Sequence, residues 1–169
     1  MTNHSMGDRG LPHAHILYML HADDKPRSPD EYDDFISAEI PDKETESELY
    51  DTVSTSNMHG PCGPDNIDAV CMVEGFCSKH FPKEFCELTK ETEGYPEYRR
   101  RQDGKTVTKI VRFRGRQHVE EETEGMESIE VSLDNRYVVP YNRALSKKYN
   151  AHINVEYCAS MKAVKYLYK

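Results

Sequence analysis

One stretch near the middle of the chain limits what the rest can become. From Met58 to Phe85 the sequence reads MHGPCGPDNIDAVCMVEGFCSKHFPKEF. It is too broken by Gly and Pro for a long helix or a regular ladder. It carries His59, Cys62, Cys71 and Cys77 in the spacing His-x2-Cys-x8-Cys-x5-Cys, with His80 close behind. An irregular segment needs local fastening, and three thiols with an imidazole suit a tetrahedral zinc site. Unrelated buried or free thiols are the other reading, because the paired Cys-x2-Cys and His-x3-His spacings of common zinc fingers are absent. Residues 57–82 therefore read as an irregular Cys/His-rich insertion in a larger fold. Cys86 and Cys158 read as ordinary core thiols.

The chain of 169 residues is sized for one domain with one real core. Its mean hydropathy is -0.82, and no window approaches the roughly 20 apolar residues of a membrane span. The first ten residues, MTNHSMGDRG, lack the apolar region of a secretion signal. An odd count of five Cys argues against a disulfide framework. An intracellular protein without a membrane partner is expected. The net charge of -8 speaks against nucleic acid at first sight, but the charge is segregated. Asp23–Asp51 holds 12 acidic residues against three basic ones. Arg99–Arg116 holds eight basic residues against Asp103 alone, and Arg136–Lys169 holds seven against Glu156. Local potential governs phosphate binding, so two basic blocks can build a nucleic-acid face. Solvated surface charge accounts for the counts equally well.

The pattern predicts α+β architecture, an antiparallel sheet flanked by helices. GLPHAHILYML, TVTKIVRF, SIEVSL, RYVVPY and AHINVEY read as strands. KETESELYDTV, RALSKKYN and CASMKAVKYLYK read as helices, DDKPRSPDEYDD as a polar loop and EEETEGME as an exposed loop. Gly104-Lys105-Thr106 has the ending of a phosphate loop, yet Arg99 stands where its first Gly belongs. Asp103-Gly104 instead reads as a hairpin turn.

In an extended strand, His13 and His15 project on one side, which is what a metal needs from two ligands. Two ordinary surface histidines are the alternative. On the C-terminal helix, Met161, Val164, Leu167 and Tyr168 gather on one face, while Tyr166 falls about 160° from Tyr168, beside Lys162 and Lys169. Cations there would favour its phenolate and attract phosphate. An amphipathic surface tyrosine is the plain alternative.

Several strings taken together resemble the N-terminal helicase-like domain of Helitron rolling-circle transposon proteins. They are RGLPHAHIL, ISAEIPD, MHGPCG with CSKHFPKEF behind it, GYPEYRRR, DNRYVVPYN and NAHINVEYCASMKAVKYLYK, in that order from Arg9 to Lys169. The resemblance implies the fold of HUH endonucleases and a metal-dependent nickase acting on single-stranded DNA. His13 and His15 correspond to its metal motif, for Mg2+ or Mn2+, and Tyr166 to the first of two catalytic tyrosines. The second would lie four residues further on, past Lys169. SMGDRG replaces a strand that carries an acidic residue and Gln, with Ser5 and Gly7 at those positions. The third ligand is then absent or comes from His4, Asp8 or His152. These departures give the expectation of a single domain over residues 1–169, truncated at both ends and fused to a helicase in the full-length protein, with a nuclear location. Arg99, Arg100, Arg101, Lys105, Arg112, Arg114, Lys162 and Lys165 are the expected DNA contacts, with Tyr95, Tyr98 and Phe113 available to stack on bases. A zinc-stapled DNA-binding remnant that no longer cleaves is the rival expectation.

Overall fold

The computed structural model describes residues 14–92, 95–114 and 126–158. Three α-helices and three two-stranded antiparallel ladders make up an α+β unit among these residues. The helices are α1 (Pro29–Phe35), α2 (Ser47–Ser56) and α3 (Arg143–Tyr149). The ladders pair β1 (Met72–Val73) with β2 (Phe76–Cys77), β3 (Lys90–Thr92) with β4 (Tyr95–Glu97), and β5 (Val107–Arg114) with β6 (Met126–Leu133).

Local chemistry accounts for most of these boundaries. The Ser28 hydroxyl accepts the Glu31 N–H at 3.3 Å, Pro29 opens α1, and Asp30 and Glu31 face its positive end. This corrects the polar loop expected over 23–34, where the Ser-Pro-Asp-Glu start signal outweighs overall polarity. α2 begins at Ser47, later than the expected Lys43, because the Asp42 carboxylate accepts the N–H groups of Glu44 and Thr45 and closes a turn first. The α3 helix matches expectation: Asn142 accepts the Leu145 N–H at 2.9 Å, and Asn150 closes the helix at φ +43°.

Ile40, Leu49, Val53, Val107, Val138 and Tyr141 form the main core, joining α2, β5 and the 138–141 segment. Val111, Val131 and Leu133 pack beside it from β5 and β6, against Met58 and Tyr137. The eight-pair register from Val107↔Leu133 to Arg114↔Met126 turns these valines and Leu133 inward.

Three expected strands differ. Of GLPHAHILYML, residues 10–13 lie outside the described residues, His15 forms one isolated bridge, and residues 16–20 carry no ladder pairing, with Tyr18 and Met19 81% and 91% exposed. In 136–141 a 3-10 turn spans Asn135–Tyr137, and Val138 and Tyr141 pair singly with Met58 and Ser37. Pro140 has no N–H to extend that pairing. Residues 151–157 form no strand and are tied by Val155 N–H to the Pro140 carbonyl and by Tyr157 N–H to the Tyr98 oxygen. Asp103-Gly104 is not the hairpin turn expected: residues 101–106 lead into β5 with neither turn nor bend, Lys105 N–H bonding the Asp103 carboxylate at 3.1 Å and Gly104 at φ +79°.

At the centre of the unit sits Arg100, only 4% exposed. Its Nη1 donates to the carbonyls of Ala38, Asn135 and Val138 at 3.3, 2.7 and 2.7 Å. Beside it, the Asn135 side chain accepts the Ile40 N–H and donates to the Arg101 carbonyl. Three distant stretches of chain, 36–42, 99–103 and 134–138, thereby meet through charge-assisted hydrogen bonds. Among the described residues no helix is long and apolar enough to cross a membrane.

Candidate metal centre

The Cys/His segment folds as its composition suggests, through turns. Glu74 and Gly75 take φ of +51° and +86°, the pair of left-handed residues that a tight two-residue hairpin demands. That hairpin sets Met72 opposite Cys77, and Ser78 N–H reaches the Cys71 carbonyl at 2.7 Å, so Cys71 and Cys77 converge. From the other side, His59 N–H bonds the Tyr137 carbonyl at 2.7 Å, and its ring stacks on Phe81 with centroids 4.2 Å apart. Gly60, at φ +93°, bends the chain from His59 towards Cys62.

The ligand atoms of His59, Cys62, Cys71 and Cys77 lie within 4.8 Å of one another, and His59 Nε2 is 3.3 Å from Cys77 Sγ. For zinc–sulfur bonds of about 2.3 Å, tetrahedral sulfurs stand about 3.8 Å apart. The cluster is therefore able to hold one metal ion. Cys62 and Cys77 are buried, and Cys71 and His59 are half-buried.

The four ligands differ in how readily each takes its metal-binding form. Burial, then hydrogen bonding to Cys71 and Cys77, pushes the Cys62 thiol up to about 12. Burial, with Cys77 next to it, also raises Cys71. Burial acts on Cys77 in the same sense but is outweighed by the backbone N–H groups of Phe81 and Lys79 and by the neighbouring thiols, so Cys77 is lowered and holds the thiolate most readily. Such N–H donors to a sulfur are the usual supporting shell of a metal thiolate. Burial, then the charges of Lys83 and Lys79, lowers His59 and keeps the imidazole in its neutral, ligating form. A divalent ion with three thiolates carries one net negative charge, and these same two lysines offset it.

His80 stands outside this group of four and is exposed. Cys86 is half-buried, its thiol donating to the Leu88 carbonyl at 2.8 Å, and Cys158 is exposed. Neither is the core thiol expected.

The basic block is only partly a surface. Arg100 is turned inward, which corrects its expected role as a DNA contact: its donors are spent on backbone carbonyls in the interior. Arg101 grips the Glu39 carboxylate through Nε and Nη2 at 2.8 and 2.7 Å. Arg99 reaches Asp33 at 2.8 Å and Glu39 at 3.4 Å. Both are internal fasteners first. Burial would raise the Glu39 carboxyl, but hydrogen bonds from Arg101 and the charges of Arg101 and Arg99 overcome it and lower it. Lys105 pairs with Asp103 at 3.4 Å, and Arg112 is exposed on β5. Tyr98, buried, uses its hydroxyl oxygen as an acceptor for Tyr157 N–H and is not free to stack on a base. His15 is exposed. His152 is exposed too, its Nδ1 2.7 Å from the Ser56 carbonyl.

His13, Lys162, Lys165 and Tyr166 lie outside the described residues, as do His4 and Asp8, the expected C-terminal helix beyond Cys158 and most of the 120–127 loop; so do the side chains of Tyr95, Phe113 and Arg114. Reasoning from sequence missed Lys79, Lys83 and Arg136 around the centre. The signal available was the Lys-x3-Lys spacing immediately after Cys77.

No family model matches the chain, and no curated protein matches it.

Proposed function

We propose that this chain is a zinc-stapled, DNA-nicking domain of the Helitron type, working on single-stranded DNA in the nucleus. The observation that carries the reading is the meeting of ISAEIPD, YRRR and DNRYVVPYN around Arg100, with the MHGPCG–CSKHF segment fastened beside them through Met58↔Val138 and Cys86↔Arg100. These strings carry the resemblance, and they pack as one unit. In this reading His59, Cys62, Cys71 and Cys77 hold structural Zn2+. His13 and His15, with a third ligand, would hold Mg2+ or Mn2+, which when bound would polarise the scissile phosphate. The Tyr166 oxygen attacks phosphorus and the bond from phosphorus to the 3′-oxygen breaks. The products are a 5′-phosphotyrosine and a 3′-hydroxyl; the proton lost by the phenol balances the one gained by the leaving oxygen. A fused helicase belongs to the same proposal.

The rival reading is a zinc-stapled remnant that binds DNA without cutting. The engagement of Arg100 with interior carbonyls, and of Arg99 and Arg101 with the Asp33 and Glu39 carboxylates, leaves these three arginines serving the fold and favours it. The test is a covalent adduct. Protein with Mn2+ and a labelled single strand is expected to give a species of shifted mobility that resists denaturation and is lost in Tyr166→Phe. Absence of adduct at every metal concentration leaves only the remnant.

A further inference from the structure

We infer that the single strand is held on a cationic and aromatic strip beside the metal centre, running from Lys79 and Lys83 past Phe85 and Arg136 to Lys105. This rests on the single-stranded DNA reading above and moves the binding face away from Arg99–Arg101. The strip is continuous. Lys83 Nζ donates to the Lys79 carbonyl at 3.0 Å and lies 5.0 Å from the Phe81 ring centroid. Lys83 N–H bonds the Arg136 carbonyl at 3.0 Å, and the Arg136 guanidinium stands 4.8 Å over the Phe85 ring. Phe85, Arg136 and Lys105 then line one cavity of about 250 Å3. That volume is just below the roughly 300–1,000 Å3 of sites for drug-sized ligands, on the scale of a smaller planar group such as a base.

Asp134 accepts two parallel bonds from Arg136, Nε to Oδ1 at 3.0 Å and Nη2 to Oδ2 at 2.8 Å, which with Phe85 fixes the guanidinium plane at the cavity wall. Planes of this kind take stacked bases, and the lysines supply the charge that tracks a backbone. Asp103 and Asp134 also line this cavity: the Asp134 pair stays closed and positions the Arg136 guanidinium, while the Lys105–Asp103 contact, at 3.4 Å and partly exposed, contributes little and yields to a phosphate.

The test is fluorescence anisotropy of a labelled oligothymidylate with the zinc-loaded full chain, titrated over salt. If each lysine meets one phosphate, the triple variant Lys79→Gln, Lys83→Gln, Lys105→Gln lowers the slope of log K against log salt by about 2, roughly a 100-fold loss at about 0.1 M salt. Lys147→Gln with Lys148→Gln, on α3, leaves the slope unchanged. Lys105→Gln alone, at a partly exposed side chain, lowers it by about 0.7 and serves if the triple variant fails to fold. Unchanged slopes in these variants, with wild-type protein still binding, overturn the strip and leave the nicking reading standing. Wild-type protein with no salt-dependent binding overturns both.

Discussion

Arg100 gives the sharpest test of how this fold is held together. Its guanidinium serves three backbone carbonyls from two separate stretches of chain while only 4% exposed. Burial brings its pKa from 12.5 down to about 10, so holding the charge inside costs about 3 kcal/mol. Charge-assisted hydrogen bonds contribute about 1.5–3 kcal/mol each, and the two hydrogens of Nη1, spent on the short contacts to Asn135 and Val138, offset that cost. In Arg100→Met the charge is gone, but the Ala38, Asn135 and Val138 carbonyls lose their donor in a site closed to water. Buried acceptors left without a donor cost about 1–3 kcal/mol each, so the expected loss is about 3–5 kcal/mol, against a total stability of about 5–15 kcal/mol. Urea unfolding reads it directly. With a slope of about 2 kcal/mol per molar, the midpoint falls by about 2 M. Arg100→Lys, keeping a charge but losing the planar fork, recovers part of the loss. A midpoint within about 0.3 M of wild type for Arg100→Met refutes the clasp. So does a lowered salt slope for DNA with unchanged stability, which would return Arg100 to the surface.

Two further outcomes follow from the same geometry. Glu39, lowered by Arg101 and Arg99, stabilises the fold above its ordinary value of 4.5, and that contribution is lost as pH falls through its lower folded-state value; Glu39→Gln is therefore less stable at neutral pH and has a flatter acid limb below about pH 4.5 in thermal melts. At Gly60 a Cβ would sit 3.1 Å from the Cys62 nitrogen at φ +93°, so Gly60→Ala strains the bend between two ligands by about 1–3 kcal/mol and gives up metal faster to a chelator in competition, whereas Gly63→Ala, with nothing near its Cβ, pays only for its φ of +79°.

Much of this was legible in the residues. The α3 helix, β5, β6 and the four metal-ligand candidates come straight from the chain, because each is specified locally: by an Asn cap, by alternating β-branched residues, by the spacing of Cys and His. The segments that differ depend on distant partners. DNRYVVPYN has strand composition, but Asn135 and Arg100 hold it by single hydrogen bonds, which no periodicity reveals. Arg100 itself is indistinguishable in sequence from Arg99 and Arg101; only the three carbonyls waiting in the interior separate a core arginine from a surface one. The lysines after Cys77 were hidden for the opposite reason: four acidic residues between Cys62 and Phe85 leave that segment net negative, and the fold sorts the signs.

Cobalt(II) substitution tests the metal centre, on which the fastening of the Cys/His segment depends, most directly. Metal-stripped protein titrated with Co2+ is expected to bind one ion per chain, with the visible bands of a tetrahedral site and the near-ultraviolet charge-transfer absorption of three thiolates. Zn2+ should displace it, and Cys71→Ser or Cys77→Ser should weaken the thiolate absorption. A pale, six-coordinate spectrum, or a spectrum indifferent to both substitutions, would contradict a metal held by His59, Cys62, Cys71 and Cys77.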